Sequence, residues 1–212
     1  MAQPPGGAPG VVGISVCYSG PEASAERALA PLRKLGTPMA DGVRAIDYVA
    51  LQRSGDVTDP RATGTYLKGG FVSEIKPALI SAIMDGFQAD PARQTVIFFQ
   101  QGGGAISRVA PSATAFPHRY ARQTMITTVA WKTGDDSTRH VAAIKEYWSR
   151  LEPHTYGFYV NTVSGDETSK EIDQNYRENF PRLVAVKNKY DSTNLFRLNA
   201  NIAPTIRAAQ RG

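Results

Sequence analysis

Cysteine is almost absent from this chain: Cys17 is the only one, so an intrachain disulfide and a cysteine-rich metal site are excluded. Its apolar and aromatic neighbours in Val11–Tyr18 predict a small, buried strand residue. Histidine is also scarce. His118, His140 and His154 show neither the spacing of metal ligands nor a partnered nucleophile, which disfavours zinc sites and hydrolase triads. We therefore predict no metal, and we expect His140 and His154 to be solvated.

Long apolar runs are missing as well, since no segment approaches the roughly 18 residues that a membrane helix needs. Residues 1–10 are rich in proline and glycine and lack the apolar core of a signal peptide, so we expect a disordered start. The net charge is +5, but lysine and arginine are dispersed among acidic residues instead of forming a block. We expect a soluble, cytoplasmic protein without a nucleic-acid or membrane partner.

Hydrophobic periodicity predicts an alternation of strands and helices. Strands are expected at Val11–Tyr18, Gly64–Leu67 with Phe71 and Val72, Gln94–Gln100 as a central strand, Ala105–Val109, Thr124–Trp131 and Gly157–Val160. Helices are expected from Pro21 to Gly36, at Pro77–Phe87 and Val141–Leu151, and in a separately packed tail at Ser169–Tyr190. Several links between strands are too short for a parallel crossover. The predicted fold class is α+β, with a mixed, largely antiparallel sheet covered by helices.

Three consecutive glycines, Gly102–Gly104, could be mistaken for a phosphate-binding loop. They lack the lysine of a P-loop and the spaced third glycine of a dinucleotide fold, and they link two predicted strands instead of opening a helix. The sequence therefore favours a tight turn or a bulge here.

A polar segment follows at Thr114–Arg119, where Pro117 stiffens the chain. We predict that His118 and Arg119 present polar groups to a small-molecule substrate. The alternative for both residues is structural, with Arg119 binding the backbone carbonyls of its own loop.

The predicted last strand carries a second candidate group. Alternation along a strand would place Tyr159 and Asn161 on one face, with Val160 and Thr162 on the other. Tyr159 is our candidate catalytic residue, and the alternative is a half-buried strand aromatic without a chemical role.

In the tail, Tyr176 and Asn179 are three residues apart, so a helical turn would direct both side chains the same way. Pro181 then suits the start of a helix that carries Leu183 and Val184. The alternative for Asn179 is that it only caps this helix.

The tail as a whole carries a characteristic run, made of Asn175–Lys187, Lys189–Asp191, Asn194–Arg197, Asn199, Asn201, Ile202 and Pro204. This run resembles the closing segment of the berberine-bridge-enzyme-like family of FAD-linked oxidases, and Gly102–Arg119 is similar to the family's substrate domain. The resemblance implies a substrate domain of the vanillyl-alcohol-oxidase-like fold at residues 11–165. It also implies a berberine-like segment at 166–204 that completes a flavin domain, followed by a tail at 205–212.

The same resemblance implies roles for the candidate residues. Tyr176 and Asn179 match a tyrosine and an asparagine that lie against the flavin, and Asn161 is assigned to the cofactor with them. Arg177 stands where the family usually has glycine, which puts close backbone approach to the cofactor in doubt. Thr162, assigned to the substrate with His118 and Arg119, stands where plant members have a tyrosine base.

The function that the resemblance implies is FAD-dependent oxidation of a small organic substrate by hydride transfer to the flavin. Members of the resembling family attach FAD through a histidine in their N-terminal half. The glycine-glycine-histidine segment of this attachment does not occur in the sequence. We therefore expect the isolated chain to be inactive and to retain FAD poorly without an N-terminal flavin-binding half. That half is expected either on a separate polypeptide or on a longer form of this chain. The alternative function is a non-catalytic small-molecule-binding or interaction module. A homodimer is a further possibility, in which a second copy would cover the apolar face of the tail helices.

Overall fold

The computed structural model describes residues 14–56, 61–87, 89–162, 164–198 and 200–205. The chain divides into two compact units, Met1–Asp59 and Pro60–Gly212. The second unit contains both the sheet and the helices of the tail. The expected domain boundary between residues 165 and 166 stays a prediction, and the expected disordered start lies outside the described residues.

The described residues of the first unit, 14–56, form two short helices. A 3-10 turn at Glu22–Ser24 leads from Pro21 into α1 (Ala25–Arg33), which confirms the predicted helix but ends it before Gly36. The segment left unassigned by the sequence forms α2 (Tyr48–Arg53). The carboxylate of Asp47 accepts hydrogen bonds from the backbone N–H groups of Val49 and Ala50, at 2.9 and 3.2 Å, and so caps α2 at its N-terminus.

The strand predicted at Val11–Tyr18 is wrong over its described part, because residues 14–18 pair with no other described segment. A run of apolar residues becomes a strand only where another strand takes up its backbone hydrogen bonds. Cys17 is correspondingly exposed and not buried.

Three antiparallel strands form the sheet of the second unit. They are β1 (Thr63–Val72), β2 (Arg93–Gln101) and β3 (Gln123–Lys132), in the order β1-β3-β2. Together with the helices they confirm the α+β class and the antiparallel character of the sheet. β3 occupies the centre, so the segment predicted as the central strand is an edge strand, β2, among the described residues.

One face of this sheet is covered by α3 (Pro77–Gly86) and α4 (Ser137–Leu151). Apolar residues at helical spacing on α4 pack against alternate residues of the strands. The buried core consists of Val72, Leu79, Met125, Val129, Ile144, Tyr147, Trp148 and Leu151. Within the described ranges, every helix is too short or too polar to cross a lipid bilayer.

His140 lies on the same buried stripe of α4, four residues before Ile144, and is completely shielded from solvent. Its ring stacks on Trp131, with centroids 5.3 Å apart and an interplanar angle of 17°. The expectation that His140 is solvated is therefore wrong, because its helical position directs it toward the sheet.

The strand predicted at Ala105–Val109 is replaced by a 3-10 turn at Ile106–Arg108. Before it, Gly103 and Gly104 adopt φ angles of 99° and 58°. Such left-handed backbone reverses the chain direction at little cost only for glycine. The turn predicted for the glycine run is confirmed.

The tail forms α5 (Ser169–Asn175) and α6 (Phe180–Tyr190), joined by a 3-10 turn at Arg177–Asn179. A capping box starts α5: the Thr168 side chain accepts from the Glu171 backbone, and the Glu171 side chain accepts from the Thr168 backbone. The helices predicted for the tail are confirmed.

Candidate functional site

The face of the sheet opposite α3 and α4 is open along β2. Gln94, Val96, Phe98 and Gln100 alternate along this strand and are exposed, with 39% of Phe98 accessible. The strand register places Thr128 and Ile126 beside Val96 and Phe98. Every side chain that alternation directs to this face is uncharged except Lys132 at the end of β3, so the surface combines mainly amide, hydroxyl and apolar groups.

A 3-10 turn, Val160–Thr162, lies next to this open face. A Cβ atom built on Gly69 of β1 would lie 3.3 Å from Cγ1 of Ile126 and 3.6 Å from Oγ1 of Thr162. The distance to Thr162 corresponds to ordinary van der Waals contact, so the turn lies directly against this face of β1.

The turn brings together three residues that the sequence singled out. Asn161 Nδ2 donates a hydrogen bond of 2.6 Å to the phenolic oxygen of Tyr159. Thr162 donates through both its backbone N–H and its hydroxyl to the carbonyl of Tyr159, at 2.8 and 2.7 Å. We call Tyr159–Thr162 the tyrosine turn. Its hydrogen bonds hold the three side chains on one compact structure.

The strand predicted at Gly157–Val160 is not formed, so its alternation does not place Tyr159 and Asn161. The segment begins to pair with the edge of β1, where Tyr156 N donates to Phe71 O and Phe71 N donates to Gly157 O. At Phe158 a side chain replaces the neighbouring strand: Asn175 Oδ1 accepts from Phe158 N, and Asn175 Nδ2 donates to Phe158 O, both at 3.0 Å. A tertiary contact thus ends the ladder after two bonds.

His118 is turned into the protein interior and is only 3% exposed. Its Nε2 atom lies 2.9 Å from both the backbone O and the Oδ1 of Asn175. Both partners are acceptors, so Nε2 carries the proton and donates. Burial, and then the nearby Arg177 guanidinium, lowers the pKa of His118. This geometry favours the structural alternative for His118, and its predicted contact with a substrate stays a prediction.

Arg119 binds its own loop. Its Nε atom donates to Phe116 O at 3.1 Å, its Nη2 atom donates to the hydroxyl of Thr114, and its guanidinium lies over the Phe116 ring. These contacts favour the alternative in which Arg119 fixes the loop.

Asn179 is buried and binds the same loop from the other side. Its Nδ2 atom donates to Pro111 O at 2.8 Å and to Thr114 O at 3.0 Å. It precedes α6 but makes no side-chain capping bond, so the capping alternative is wrong. The amide instead joins the tail to residues 111–114.

Tyr176 and Asn179 are joined by a 3-10 turn, in which Asn179 N donates to Tyr176 O at 3.0 Å. The turn is not a continuation of α5, which ends at Asn175, because Arg177 adopts a φ angle of 51°. The Arg177 guanidinium donates to Tyr156 O at 3.0 Å and lies over the Tyr156 ring. Burial raises the pKa of Tyr176, which keeps its half-buried phenol neutral. The glycine usual in the resembling family suits this left-handed position.

The sequence analysis missed two groups. Asn175 was noticed only as part of the tail motif, although it lies four residues before Asn179. A charged network was missed because its members are far apart in sequence: Lys68 Nζ lies 2.7 Å from carboxylate oxygens of both Asp166 and Glu167, and Lys145 Nζ lies 2.8 Å from Asp166.

Tyr66 also donates to Asp166, at 2.8 Å. Burial, followed by this hydrogen bond, raises the pKa of Tyr66 to about 12. Burial also acts to raise the pKa of Asp166, but hydrogen bonds from Lys145, Lys68 and Tyr66 outweigh it and hold this pKa well below its usual range. The network is therefore charge-paired and fixes the start of the tail to β1 and α4.

Comparison with known proteins shows which proteins this chain resembles. Residues 158–203, which contain the whole tyrosine turn and both tail helices, match the family model described as berberine and berberine like. An FAD-linked oxidoreductase of Dictyostelium discoideum is 27% identical over 197 residues, covering 92% of this chain and 43% of the relative. An uncharacterized FAD-linked oxidoreductase of Bacillus subtilis is 29% identical over 195 residues, covering 90% of this chain and 43% of the relative.

Solved structures show the same fold. The 6-hydroxy-D-nicotine oxidase of Arthrobacter nicotinovorans has a TM-score of 0.62 at 22% identity, covering 86% of this chain and 42% of that one. A berberine-bridge-enzyme-like protein of Arabidopsis thaliana has a TM-score of 0.60 at 24% identity, covering 68% of this chain and 34% of that one.

The sheet, the tyrosine turn and the helical tail thus have the fold found in FAD-binding proteins of the vanillyl-alcohol-oxidase type. The chain resembles the berberine-bridge-enzyme-like family and matches the C-terminal part of such proteins, as the sequence predicted. It spans less than half the length of the two relatives described above.

Proposed function

We propose that this chain forms the substrate face and closing segment of an FAD-dependent oxidoreductase that acts on a small organic substrate. The observation that carries the proposal is the position of the tyrosine turn, which lies in the family-matched segment and beside the open, largely uncharged face of the sheet. A small substrate would bind on this face through van der Waals contacts with Phe98 and hydrogen bonds with neighbouring amides and hydroxyls.

The residues present fit the ring system of FAD. The uncharged part of the face, with its exposed aromatic and amide groups, suits a flat heteroaromatic ring, and Tyr159 is 39% exposed at its edge. When bound, FAD would accept a hydride from a substrate carbon at its N5 atom. Asn161 would hold the Tyr159 phenol in one orientation, and Tyr159 would exchange a proton with the substrate at the phenolic oxygen. Thr162 would line the substrate face.

The remaining predicted contacts have a shaping role in this proposal. The Nδ2 atom of Asn179 already binds two carbonyls, and the Arg119 guanidinium binds its own loop. Both residues would fix the shape of residues 111–119 beside the site. Tyr176 would offer a neutral phenol to the cofactor.

The proposed partner is a polypeptide that carries the flavin-binding half, since the two curated relatives described above are more than twice as long as the matched region. The full chain should be purified alone and after co-expression with the N-terminal part of the Bacillus relative. We expect no flavin absorption from the chain alone and stoichiometric flavin in the complex. Stoichiometric flavin bound to the chain alone would contradict this expectation.

In that complex, Tyr159→Phe should lower kcat by about 10²- to 10⁴-fold, the usual effect of removing a general acid or base, while flavin content stays the same. Tyr120→Phe is the matched control, because Tyr120 is exposed in the loop after His118. Its turnover should equal that of the unsubstituted protein. Unchanged turnover in Tyr159→Phe would assign the proton transfer to another group.

A non-catalytic binding module is the second candidate. The observation that favours it is the engagement of the Thr162 hydroxyl and the Asn179 amide with neighbouring carbonyls. This reading expects small-molecule binding at the open face without turnover, and the complex described above distinguishes the two.

A further inference from the structure

The backbone of residues 156–158 is held from two sides immediately before the tyrosine turn. On one side, β1 exchanges backbone hydrogen bonds with Tyr156 and Gly157 through Phe71. On the other side, two side chains contact this backbone: Asn175, the last residue of α5, binds both backbone groups of Phe158, and Arg177 of the following 3-10 turn binds the Tyr156 carbonyl. The chain therefore enters the turn in a fixed direction.

Asn175 is the centre of this arrangement. It is buried, its Oδ1 atom accepts from both Phe158 N and His118 Nε2, and its Nδ2 atom donates to Phe158 O. No other natural side chain except a longer amide combines a donor and an acceptor in this way. One side chain thus joins three segments that are 17 and 57 residues apart in sequence.

Gly157, the residue before Phe158, makes the two hydrogen bonds from Asn175 to Phe158 necessary. Gly157 has a φ angle of 113°, and glycine moves readily between backbone regions that other residues avoid. Without the two bonds at Phe158, rotation at Gly157 would change the position of the tyrosine turn relative to Gly69 and the open face.

We propose that Asn175 is a positioning residue of the site: by binding Phe158 on both sides, it sets where Tyr159 and Asn161 stand beside the open face. The positioning role rests on the proposed function, because that function assigns chemistry to the tyrosine turn. Asn175 acts through the backbone and makes no contact with substrate in this proposal.

The test compares the full chain with Asn175→Ala and Asn175→Asp by amide hydrogen exchange and by nuclear magnetic resonance of nitrogen-15-labelled protein. The aspartate keeps the size and the oxygen that accepts from Phe158 N and His118 Nε2, but it replaces the donor to Phe158 O with a second acceptor oxygen. Gln174→Ala is the control, since Gln174 is the exposed neighbour on α5. Loss of one or two buried hydrogen bonds should speed exchange at Phe158 and Thr162 by about 10-fold or more.

If Asn175 positions the turn, exchange in Met125–Val129 of β3 stays unchanged, and the side-chain amide signal of Asn161 shifts in both variants but not in the control. A purely structural role predicts something else, namely equal acceleration at Phe158 and across β3 with no change at Asn161. That result would overturn the proposal, as would unchanged exchange at Phe158 and Thr162. If Asn175→Ala does not fold, Asn175→Asp carries the test, and unfolding of both variants would also overturn it.

These measurements need no flavin, so they test the positioning role of Asn175 separately from the proposed oxidoreductase function. A turn that moves in the Asn175 variants, in a protein that never acquires flavin with its partner, would refute the oxidoreductase and leave the geometric role of Asn175 intact. In a flavin-loaded complex, the positioning role expects Asn175→Asp to lower kcat while flavin content is retained.

Discussion

Backbone conformation at single residues decides how the tail is built. Arg177, two residues after the end of α5, lies in the left-handed region, at a φ of 51°, where a side chain crowds the following carbonyl. Its guanidinium partly offsets this strain by binding Tyr156. The sequence raised Arg177 only as a departure from the usual glycine, and the structure gives the physical meaning of that departure.

The strain at Arg177 can be measured by comparing two substitutions that remove the same guanidinium. Arg177→Gly should be more stable than Arg177→Ala by about 1 kcal/mol, because only glycine adopts this conformation without strain. Urea unfolding measures the difference. At Arg182, inside α6, the order should reverse, since glycine is worse than alanine in a helix by up to about 1 kcal/mol. Equal stabilities of the two Arg177 variants would show that the strain is absent.

Gly157 is a second position that depends on the absence of a side chain. A Cβ atom there would lie 2.6 Å from Cε1 of His118, and the φ angle of 113° is itself unfavourable for alanine. We expect Gly157→Ala to lower the free energy of unfolding by about 3 kcal/mol or more, as strain and overpacking add.

Gly134→Ala provides the control for Gly157→Ala. Its φ angle is 101°, but no atom lies within 4 Å of the added Cβ, so only backbone strain of about 1 to 2 kcal/mol is expected. Denaturant unfolding of both variants measures the contribution of the contact with His118. A similar loss in the two would show that this contact has no cost.

At the scale of elements, the tail is fixed to the sheet by buried polar contacts and not mainly by apolar packing. Asn175 and Asn179 bind backbone groups of two separate segments, and the network around Lys68 holds the chain that leads into α5. No described residue of α6 is buried. The tail is therefore attached at its beginning and increasingly exposed toward its end.

The network around Lys68 supplies a test of this attachment. Lys68→Met would leave Asp166 and Glu167 with less compensation in a partly buried setting, where the Lys68 side chain is 16% exposed. The free energy of unfolding should fall by about 1 to 3 kcal/mol. Lys76→Met is the control, because the Lys76–Glu74 pair is exposed and should contribute less than about 1 kcal/mol. Equal effects would mean that the network contributes no more than a surface pair.

At the scale of the whole molecule, the end of the tail lacks apolar cover among the described residues of the second unit. Leu195, Phe196 and Leu198 are exposed, the last of them at 84%. This surface is what the proposed flavin-binding partner would cover.

We expect amide exchange in Leu183–Val186 of α6 to be faster than in Val96–Phe99 of β2, because a helix with little buried surface opens readily. Hydrogen exchange of the full chain measures both segments in one experiment. Equal protection would show that the tail has found another cover, and sedimentation would then reveal a homodimer.

The sequence by itself determined the elements whose evidence is local. Apolar spacing gave α3 and α4, alternation gave β3, and the motif of the tail identified the family and its two helices. These features depend on dihedral preferences and on side-chain periods within a few residues of one another, which a single segment contains in full. Candidate residues such as Tyr159 and Asn161 were also correctly grouped, although on the assumption of a strand.

Only the tertiary structure decided the order of the strands, the burial of His140 and the fate of residues 157–160. Each depends on contacts with other segments of the chain. β3 pairs with both β1 and β2 and so lies at the centre of the sheet. The His140 ring stacks on Trp131, and the Asn175 side chain forms hydrogen bonds with the Phe158 backbone. The physical reason is that a backbone group accepts whichever partner the packed chain brings to it, and a local pattern contains no information about that partner.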